Sequence, residues 1–109
     1  MDITLVTKDK LAEKFGSSFK GAEILATREE LETLIGKENV GKSSDGKTFH
    51  EWFVQSGDKQ FTIYDYKEGR NYPADETIHW HVGSKYDAET DRAFANEMRN
   101  LLKELRTKE

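Results

Sequence analysis

Apolar and polar residues alternate along three stretches of the chain, as they do in half-buried strands. β-Branched and aromatic residues dominate these stretches, and a Gly-Asp turn at Ser56–Lys59 separates the first two. We therefore predict a β-hairpin over residues 48–67 and a further strand over residues 77–83. The three sequences are TFHEWFV (48–54), FTIYDYK (61–67) and TIHWHVG (77–83).

Apolar residues at helical spacing follow two capping signals. Thr27 and Glu30 form a capping box that predicts a helix near residues 27–36. Asp87 precedes a second helix near residues 87–106, which we expect to cover the apolar side of the sheet. The apolar stripe of this second helix consists of Phe94, Met98, Leu101, Leu102 and Leu105.

Shorter elements are predicted in the first quarter of the chain. Residues 21–26 favour a short strand, and residues 2–6 favour either a strand or the lead-in to a helix over Thr7–Phe15. We therefore predict a small single α+β domain over residues 1–109, in which an antiparallel sheet packs against helices.

Strand alternation also predicts which side chains share the second face of the sheet. This face should carry aromatic and hydrogen-bonding groups, with the cations Lys67 and Arg70 just beyond the hairpin. Such a face fits either a ligand surface or cross-strand pairs on a solvated sheet. Its expected members are Glu51, Phe53, Thr62, Tyr64, Tyr66, His79 and His81.

A glycine-rich loop at residues 36–43 matches the phosphate-loop pattern G-x-x-x-x-G-K-[ST]. A phosphate loop joins a strand to the N-terminus of a helix, whereas here a helix precedes the loop and a strand follows it. We therefore expect turns rather than a nucleotide hydrolase. Lys42, Ser43 and Lys47 could still contact a phosphate through their side chains and free loop amides.

Composition and charge remove several functional classes. The 109 residues include no cysteine, which excludes disulfides and thiolate chemistry, and no apolar run resembles a membrane span or signal peptide. The 17 basic and 21 acidic residues give a formal charge of −4 and are interspersed along the chain. This distribution argues against duplex DNA binding. We expect a soluble, cytoplasmic protein without a membrane partner.

The pair His79 and His81 raises the question of a metal site or a catalytic site. Zinc needs at least one further ligand, and His50 falls on the other side of its strand, so we predict no metal and no cofactor. The sequence also has no G-x-S-x-G motif. Hydrogen-bonded or ligand-contacting histidines are therefore the preferred interpretation.

The order of four motifs resembles a loosely defined group of small bacteriophage proteins. Its elements are a glycine-rich loop, an E-W strand, a T-I-Y-D/N-x-K strand and a W-H-I/V-G strand, here between Gly36 and Ser84. His81 and Gly83 match the last motif, whereas His79 is an addition. The resemblance implies phage origin and an accessory function, and it brings no catalytic residues with it.

Accessory phage proteins of this size often resemble countermeasures to bacterial immunity. We therefore predict a non-enzymatic, homo-oligomeric sponge for a nucleotide second messenger, either a cyclic oligonucleotide or an ADP-ribose derivative. The alternatives are an inhibitor that binds a host defence protein and, third, a nucleotide-degrading enzyme that uses His79 and His81. The predicted ligand-binding residues are Lys42, Ser43, Lys47, Tyr64, Tyr66, Lys67, Arg70, His79 and His81.

Overall fold

The computed structural model describes residues 3–6, 18–43, 47–66 and 72–108. The helix expected over Thr7–Phe15 lies outside these ranges. No helix within them is both long and apolar enough to cross a bilayer. The elements in chain order are β1 (Ile3–Leu5), β2 (Ser18–Ala26), α1 (Arg28–Ile35), β3 (Glu51–Ser56), β4 (Lys59–Tyr64), β5 (Ile78–Ser84) and α2 (Ala88–Thr107).

The five strands form one antiparallel sheet in the order β1-β3-β4-β5-β2. The predicted hairpin is confirmed, with Trp52 opposite Ile63 and Glu51 opposite Tyr64. β5 lies beside β4, and β2 pairs with the far side of β5, so β1 and β2 are the two edge strands. The predicted α+β architecture is therefore confirmed.

The capping signals identified in the sequence define the start of both helices. Thr27 and Glu30 exchange hydrogen bonds at the N-terminus of α1, and Asp87 accepts from the amide of Thr90 at the N-terminus of α2. α1 ends at Gly36, whose φ of 98° suits a residue without a side chain. Turn chemistry and capping therefore set these boundaries locally.

One face of the sheet and the two helices enclose the hydrophobic core. Trp52 and Trp80 pack edge to face at 5.2 Å between ring centroids, and the Phe61 ring stacks on that of Phe94 of α2 at 4.1 Å. The predicted alternation is confirmed on this face. The fully buried residues of the core include Trp52, Val54, Ile63, Trp80 and Val82 of the sheet and Met98 and Leu102 of α2.

The second face differs from the expectation of an exposed sheet surface. Glu51, Phe53 and Thr62 lie there as predicted, but all three are buried, and Phe53 is only 1% exposed. Gly83 allows close packing at this point, since a Cβ there would lie 3.0 Å from Thr62 Oγ1 and 3.1 Å from the Ser18 carbonyl oxygen. The centre of this face is therefore buried, whereas Phe19 and Leu25 of β2 are exposed on its β2–β5 side.

Candidate functional site

Four rings meet on the open side of the second face, and we refer to Phe19, Tyr64, Tyr66 and His81 as the aromatic cluster. The imidazole of His81 lies at its centre. The Phe19 ring stacks on it at 4.1 Å with an interplanar angle of 17°. The rings of Tyr64 and Tyr66 lie 5.5 and 5.6 Å from His81. The cluster draws residues from three strands and from the residues after β4.

Strand register explains why these rings meet. Tyr64 of β4 lies directly opposite His81 of β5, and Phe19 of β2 lies opposite Gly83, two positions further along the same face. Because Gly83 has no side chain, the Phe19 ring can lean over its diagonal neighbour His81. A shift of register between Phe19 and Glu23 accompanies the positive φ of Gly21.

Lys20 anchors this irregular end of β2. Its ammonium group donates to the carbonyl of Ser84 at 2.8 Å and lies 3.5 Å from Oδ2 of the buried Asp91. Asp91 also accepts a hydrogen bond from the Ser84 hydroxyl. An ion pair and hydrogen bonds therefore hold β2, β5 and α2 together beside the aromatic cluster.

Glu23 places a carboxylate between the two histidines. Its Oε2 lies 3.3 Å from His81 Nε2, and its Oε1 lies 3.6 Å from His79 Nδ1. Alternation along β2 and β5 puts all three side chains on the same face. The carboxylate can therefore orient both imidazoles, and it can accept a hydrogen bond from a ligand.

Burial raises the pKa of the Tyr64 phenol further above the physiological range. Loss of solvent raises the pKa of the Tyr64 phenol to about 12, and the negative charge of Glu51 and the neighbouring Tyr66 add to the effect. The phenol therefore remains a neutral hydrogen-bonding group throughout the physiological pH range.

The outer part of this surface exposes large apolar side chains. Phe19 and Tyr66 are each 40% exposed, and Leu25, which lies opposite His79, is 52% exposed. Exposed apolar groups beside charged ones are typical of binding surfaces. The open side of the second face can therefore stack against a flat ring or pack against an apolar group.

The structure brings together four of the residues that the sequence predicted for the site, namely Tyr64, Tyr66, His79 and His81. Lys67 and Arg70 lie outside the described residues. Sequence reasoning missed Phe19, because it placed the start of the strand at residue 21. It also missed Glu23, because it did not predict that this strand pairs with β5. The signal for Phe19 was a single aromatic residue just before Gly21 in the stretch SFKGAEILA. An irregularity of β2 near Gly21 allows Phe19 to pair with β5.

The glycine-rich loop does not offer the free amides that we expected of an anion site. The amides of Val40 and Gly41 donate to the carbonyl of Glu51, and the amide of Ser43 donates to the carbonyl of Thr48 at 2.8 Å. Because the backbone uses these donors internally, the expectation of free amides at these three positions is wrong.

Side chains of the loop are also placed by contacts within the chain. The ammonium group of Lys42 lies 5.4 Å from the centroid of the Phe49 ring, and the Ser43 hydroxyl accepts from the amide of Thr48. Lys47 is exposed. Ligand binding by Lys42, Ser43 and Lys47 stays a prediction that rests on their side chains.

His50 belongs to a separate network between α1 and the following loop. Its Nδ1 lies 2.5 Å from a carboxylate oxygen of Glu38, and its Nε2 lies 2.5 Å from a guanidinium nitrogen of Arg28. Arginine only donates, so Nε2 accepts and Nδ1 carries the proton toward Glu38. Both ring nitrogens of His50 are therefore engaged within the chain.

Asp65 completes this network at the end of the hairpin. Its buried carboxylate accepts hydrogen bonds from the amides of Phe49 and His50 at 2.8 and 3.0 Å and from the Tyr72 hydroxyl. These donors account for its burial, since a carboxylate away from water requires hydrogen-bond donors.

Within the described ranges, no group of three or more His, Asp or Glu side chains is arranged to hold a metal ion. Comparisons of the chain with protein-family models, curated proteins and solved structures found no match. The geometry of the aromatic cluster therefore carries the functional argument.

Proposed function

We propose that the protein binds a nucleotide without turning it over, and that it sequesters a second messenger of bacterial immunity. The ligand class is a cyclic oligonucleotide or an ADP-ribose derivative, and the setting is the cytoplasm of a phage-infected bacterium. The observation that carries the proposal is the aromatic cluster, in which His81 is stacked on Phe19 while Tyr66 and Phe19 remain partly exposed.

Nucleobases suit this surface on physical grounds. Every base has a π-face, and stacking of one base on an aromatic side chain contributes about 1–3 kcal/mol. Glu23 and the neutral phenol of Tyr64 lie beside the rings and supply polar groups for the edge of a base. Rings for stacking and polar groups for orientation are the usual composition of a small-molecule site.

Binding without turnover is part of the proposal, and recovery of the intact nucleotide tests it. His79 and His81 lie beside the Glu23 carboxylate, which can fix their orientation toward a ligand. Sponges of this size commonly bury their ligand between subunits, so the proposal includes a homo-oligomer. Sedimentation with and without ligand tests that part directly.

The proposal is tested by incubating the protein with cyclic dinucleotides, cyclic trinucleotides and ADP-ribose, followed by thermal melting. A ligand present at a hundred times its Kd stabilises the protein by about 2.7 kcal/mol, which is easily measured. The nucleotide is then recovered after denaturation. Recovery of the intact nucleotide supports sequestration, whereas a new species establishes an enzyme.

Variants of Tyr66 locate the binding site. Tyr66→Ala should weaken binding by about tenfold or more, because a stacking partner is lost. Tyr66→Phe keeps the ring and serves as the matched control, so it should retain most of the affinity. Equal affinity of Tyr66→Ala and the unaltered protein would exclude the aromatic cluster as the site.

A second candidate function is inhibition of a bacterial defence protein by direct binding. The exposed side chains of Phe19, Leu25 and Tyr66 lie on one side of the sheet and favour this alternative. Large apolar side chains of this kind often dominate the binding energy of interfaces. A complex with a purified immune nuclease that forms without nucleotide, and that Leu25→Ala weakens, would support inhibition over sequestration.

A further inference from the structure

A groove of about 600 Å³ runs between the edge strand β2 and the C-terminal half of α2. Ligand pockets have volumes of about 300–1,000 Å³, so the groove can hold a group of nucleotide size. Three cationic side chains of α2 line it, together with Leu25 on the opposite wall. These cations are Arg99, Lys103 and Arg106.

The spacing of the three cations places them on one face of α2. Intervals of four and three residues correspond to about one helical turn each, with a rise of about 6 Å and then about 4.5 Å along the axis. The protein as a whole is acidic, with a formal charge of −4. The groove is therefore a local concentration of positive charge.

Contacts with β2 hold the two arginines in place. Arg99 donates through Nη2 to the backbone carbonyl of Glu23, and Arg106 donates through Nη2 to the carbonyl of Leu25 at 3.0 Å. A guanidinium that is already oriented loses less conformational entropy when it binds an anion.

The charges of Arg99 and Lys103 are available to an anion. The hydrogen bonds of Arg99 to described residues go to two neutral oxygens, the carbonyl of Glu23 and the side-chain amide of Asn96. Lys103 forms no ion pair with any residue in the described part of the chain.

Two carboxylates also face the groove region. Arg106 forms a bidentate pair with Glu30 and lowers the pKa of its carboxyl, so Arg106 is already compensated. Glu23 lines the groove and lies beside His79 and His81. The uncompensated charge of the groove is therefore concentrated between Arg99 and Lys103.

Glu23 connects the groove with the aromatic cluster. Glu23 and His79 line the groove, and the same Glu23 contacts the central His81 of the cluster. A molecule whose base stacks on the rings can therefore extend its phosphates toward α2.

We propose that the groove binds the phosphates of the sequestered nucleotide, with Arg99 and Lys103 as the direct contacts. This inference rests on the proposed function. It assigns the base of the ligand to the aromatic cluster and its one or more phosphates to the groove. Arginine and lysine are the usual partners of phosphate oxygens, and arginine can bind them in a bidentate manner. The glycine-rich loop is the competing location, but the amides of Val40, Gly41 and Ser43 are engaged within the chain.

The edge of β2 is unsuited to an added peptide strand. An incoming strand would need the outward carbonyls of Glu23 and Leu25, which already accept from Arg99 and Arg106. Because the two arginines already use these carbonyls, a compact anion fits the groove better than an extended peptide.

Inorganic pyrophosphate is the probe that tests the groove independently of any base. Its binding to the full chain is measured by broadening of the ³¹P resonance. Lys103→Gln should weaken binding about two- to fivefold, as expected for one exposed charge. The double variant Arg99→Gln/Lys103→Gln should weaken it by about tenfold or more. Lys85→Gln, an exposed lysine outside the groove, is the control and should bind like the unaltered protein.

The outcomes separate this inference from the proposed function. Equal pyrophosphate binding by the double variant and by Lys85→Gln would overturn the groove as the phosphate site. Nucleotide binding that responds to Tyr66→Ala but not to Lys103→Gln would also overturn it, while leaving the proposed function intact. Pyrophosphate binding that the double variant loses supports the groove, and if no nucleotide then binds, the proposed function alone fails.

Discussion

The two faces of the sheet are both rich in aromatic side chains, yet they differ in how those side chains are used. On the face toward the helices, Trp52 and Trp80 are fully buried and pack edge to face. On the second face, Phe53 is equally buried at the centre, whereas Phe19 and Tyr66 remain 40% exposed at the side. Aromatic content alone therefore does not distinguish core from binding surface.

Polar neighbours provide the distinction. The core face surrounds its tryptophans with aliphatic side chains, and each indole N–H donates to a backbone carbonyl, that of Gly36 or Ala26. On the second face the rings of the aromatic cluster lie beside the Glu23 carboxylate and a second histidine. Partly exposed rings with polar partners can exchange water for a ligand. Buried rings whose N–H groups already have hydrogen-bond partners cannot.

Truncation of one buried ring on each face should have the largest effect on stability. We expect Trp80→Ala and Phe53→Ala each to lower the free energy of unfolding by about 3–5 kcal/mol, because each leaves a cavity in a packed region. Urea denaturation monitored by circular dichroism measures both. A cost below about 1 kcal/mol for Phe53→Ala would show that the centre of the second face behaves as open surface.

Gly83→Ala should have an intermediate effect. The added methyl group would meet Thr62 Oγ1 and the Ser18 carbonyl at about 3 Å, so we expect a loss of about 1–3 kcal/mol from overpacking. In combination with Thr62→Ala the loss should be less than the sum of the two single losses, because one of the clashes is relieved. Strictly additive losses would contradict the close approach of Thr62 in β4 to Gly83 in β5.

The ionisation of Tyr64 should make the second face sensitive to alkaline pH. The folded-state pKa of about 12 exceeds the ordinary value of 10.0. The contribution of the neutral Tyr64 phenol to the free energy of unfolding is therefore complete below pH 10 and is lost as the pH rises toward 12. Unfolding free energies measured between pH 9 and 12 should fall less steeply in Tyr64→Phe. Parallel profiles would show that Tyr64 titrates normally.

Tyr66→Ala should have the smallest effect on stability. Its ring is partly exposed, so we expect a change of about 0.5 kcal/mol or less in the free energy of unfolding, although ligand binding falls. Thermal melting of the ligand-free protein measures the first quantity and titration with nucleotide the second. A large loss of stability would show that Tyr66 behaves as a core residue, like Phe53, and not as an exposed residue, like Phe19.

Much of the fold could be predicted from local patterns. Strand alternation identified the side chains that β3, β4 and β5 place on each face, and the capping residues Thr27 and Asp87 marked the starts of the helices within one residue. The predicted order of helix, loop and strand around Gly41 is also observed, with α1 before it and β3 after it. These features depend on neighbouring residues, which is why one sequence suffices to recognise them.

Part of the candidate site could not be predicted, because it depends on contacts between distant segments. Alternation placed Phe53 and His81 on the same face, but it contains no information on which of them is covered. The approach of Arg99 to Glu23 spans 76 residues and requires β2 to be the edge strand beside α2. Whether the amides of the glycine-rich loop are free also depends on tertiary contacts, since the carbonyl of Glu51 accepts from the amides of both Val40 and Gly41.

The sequence by itself therefore determined the element types, the pairing of the hairpin and the side chains that β3, β4 and β5 place on the second face, since periods of 2 and 3.6 residues are local properties. Only the tertiary structure decided which rings stay exposed, which donors remain available and which cations face the groove. The physical reason is that burial and hydrogen-bond saturation are properties of packed neighbours. Strand order brings Phe19, His81 and Arg99 to one side of the molecule from three separate parts of the chain.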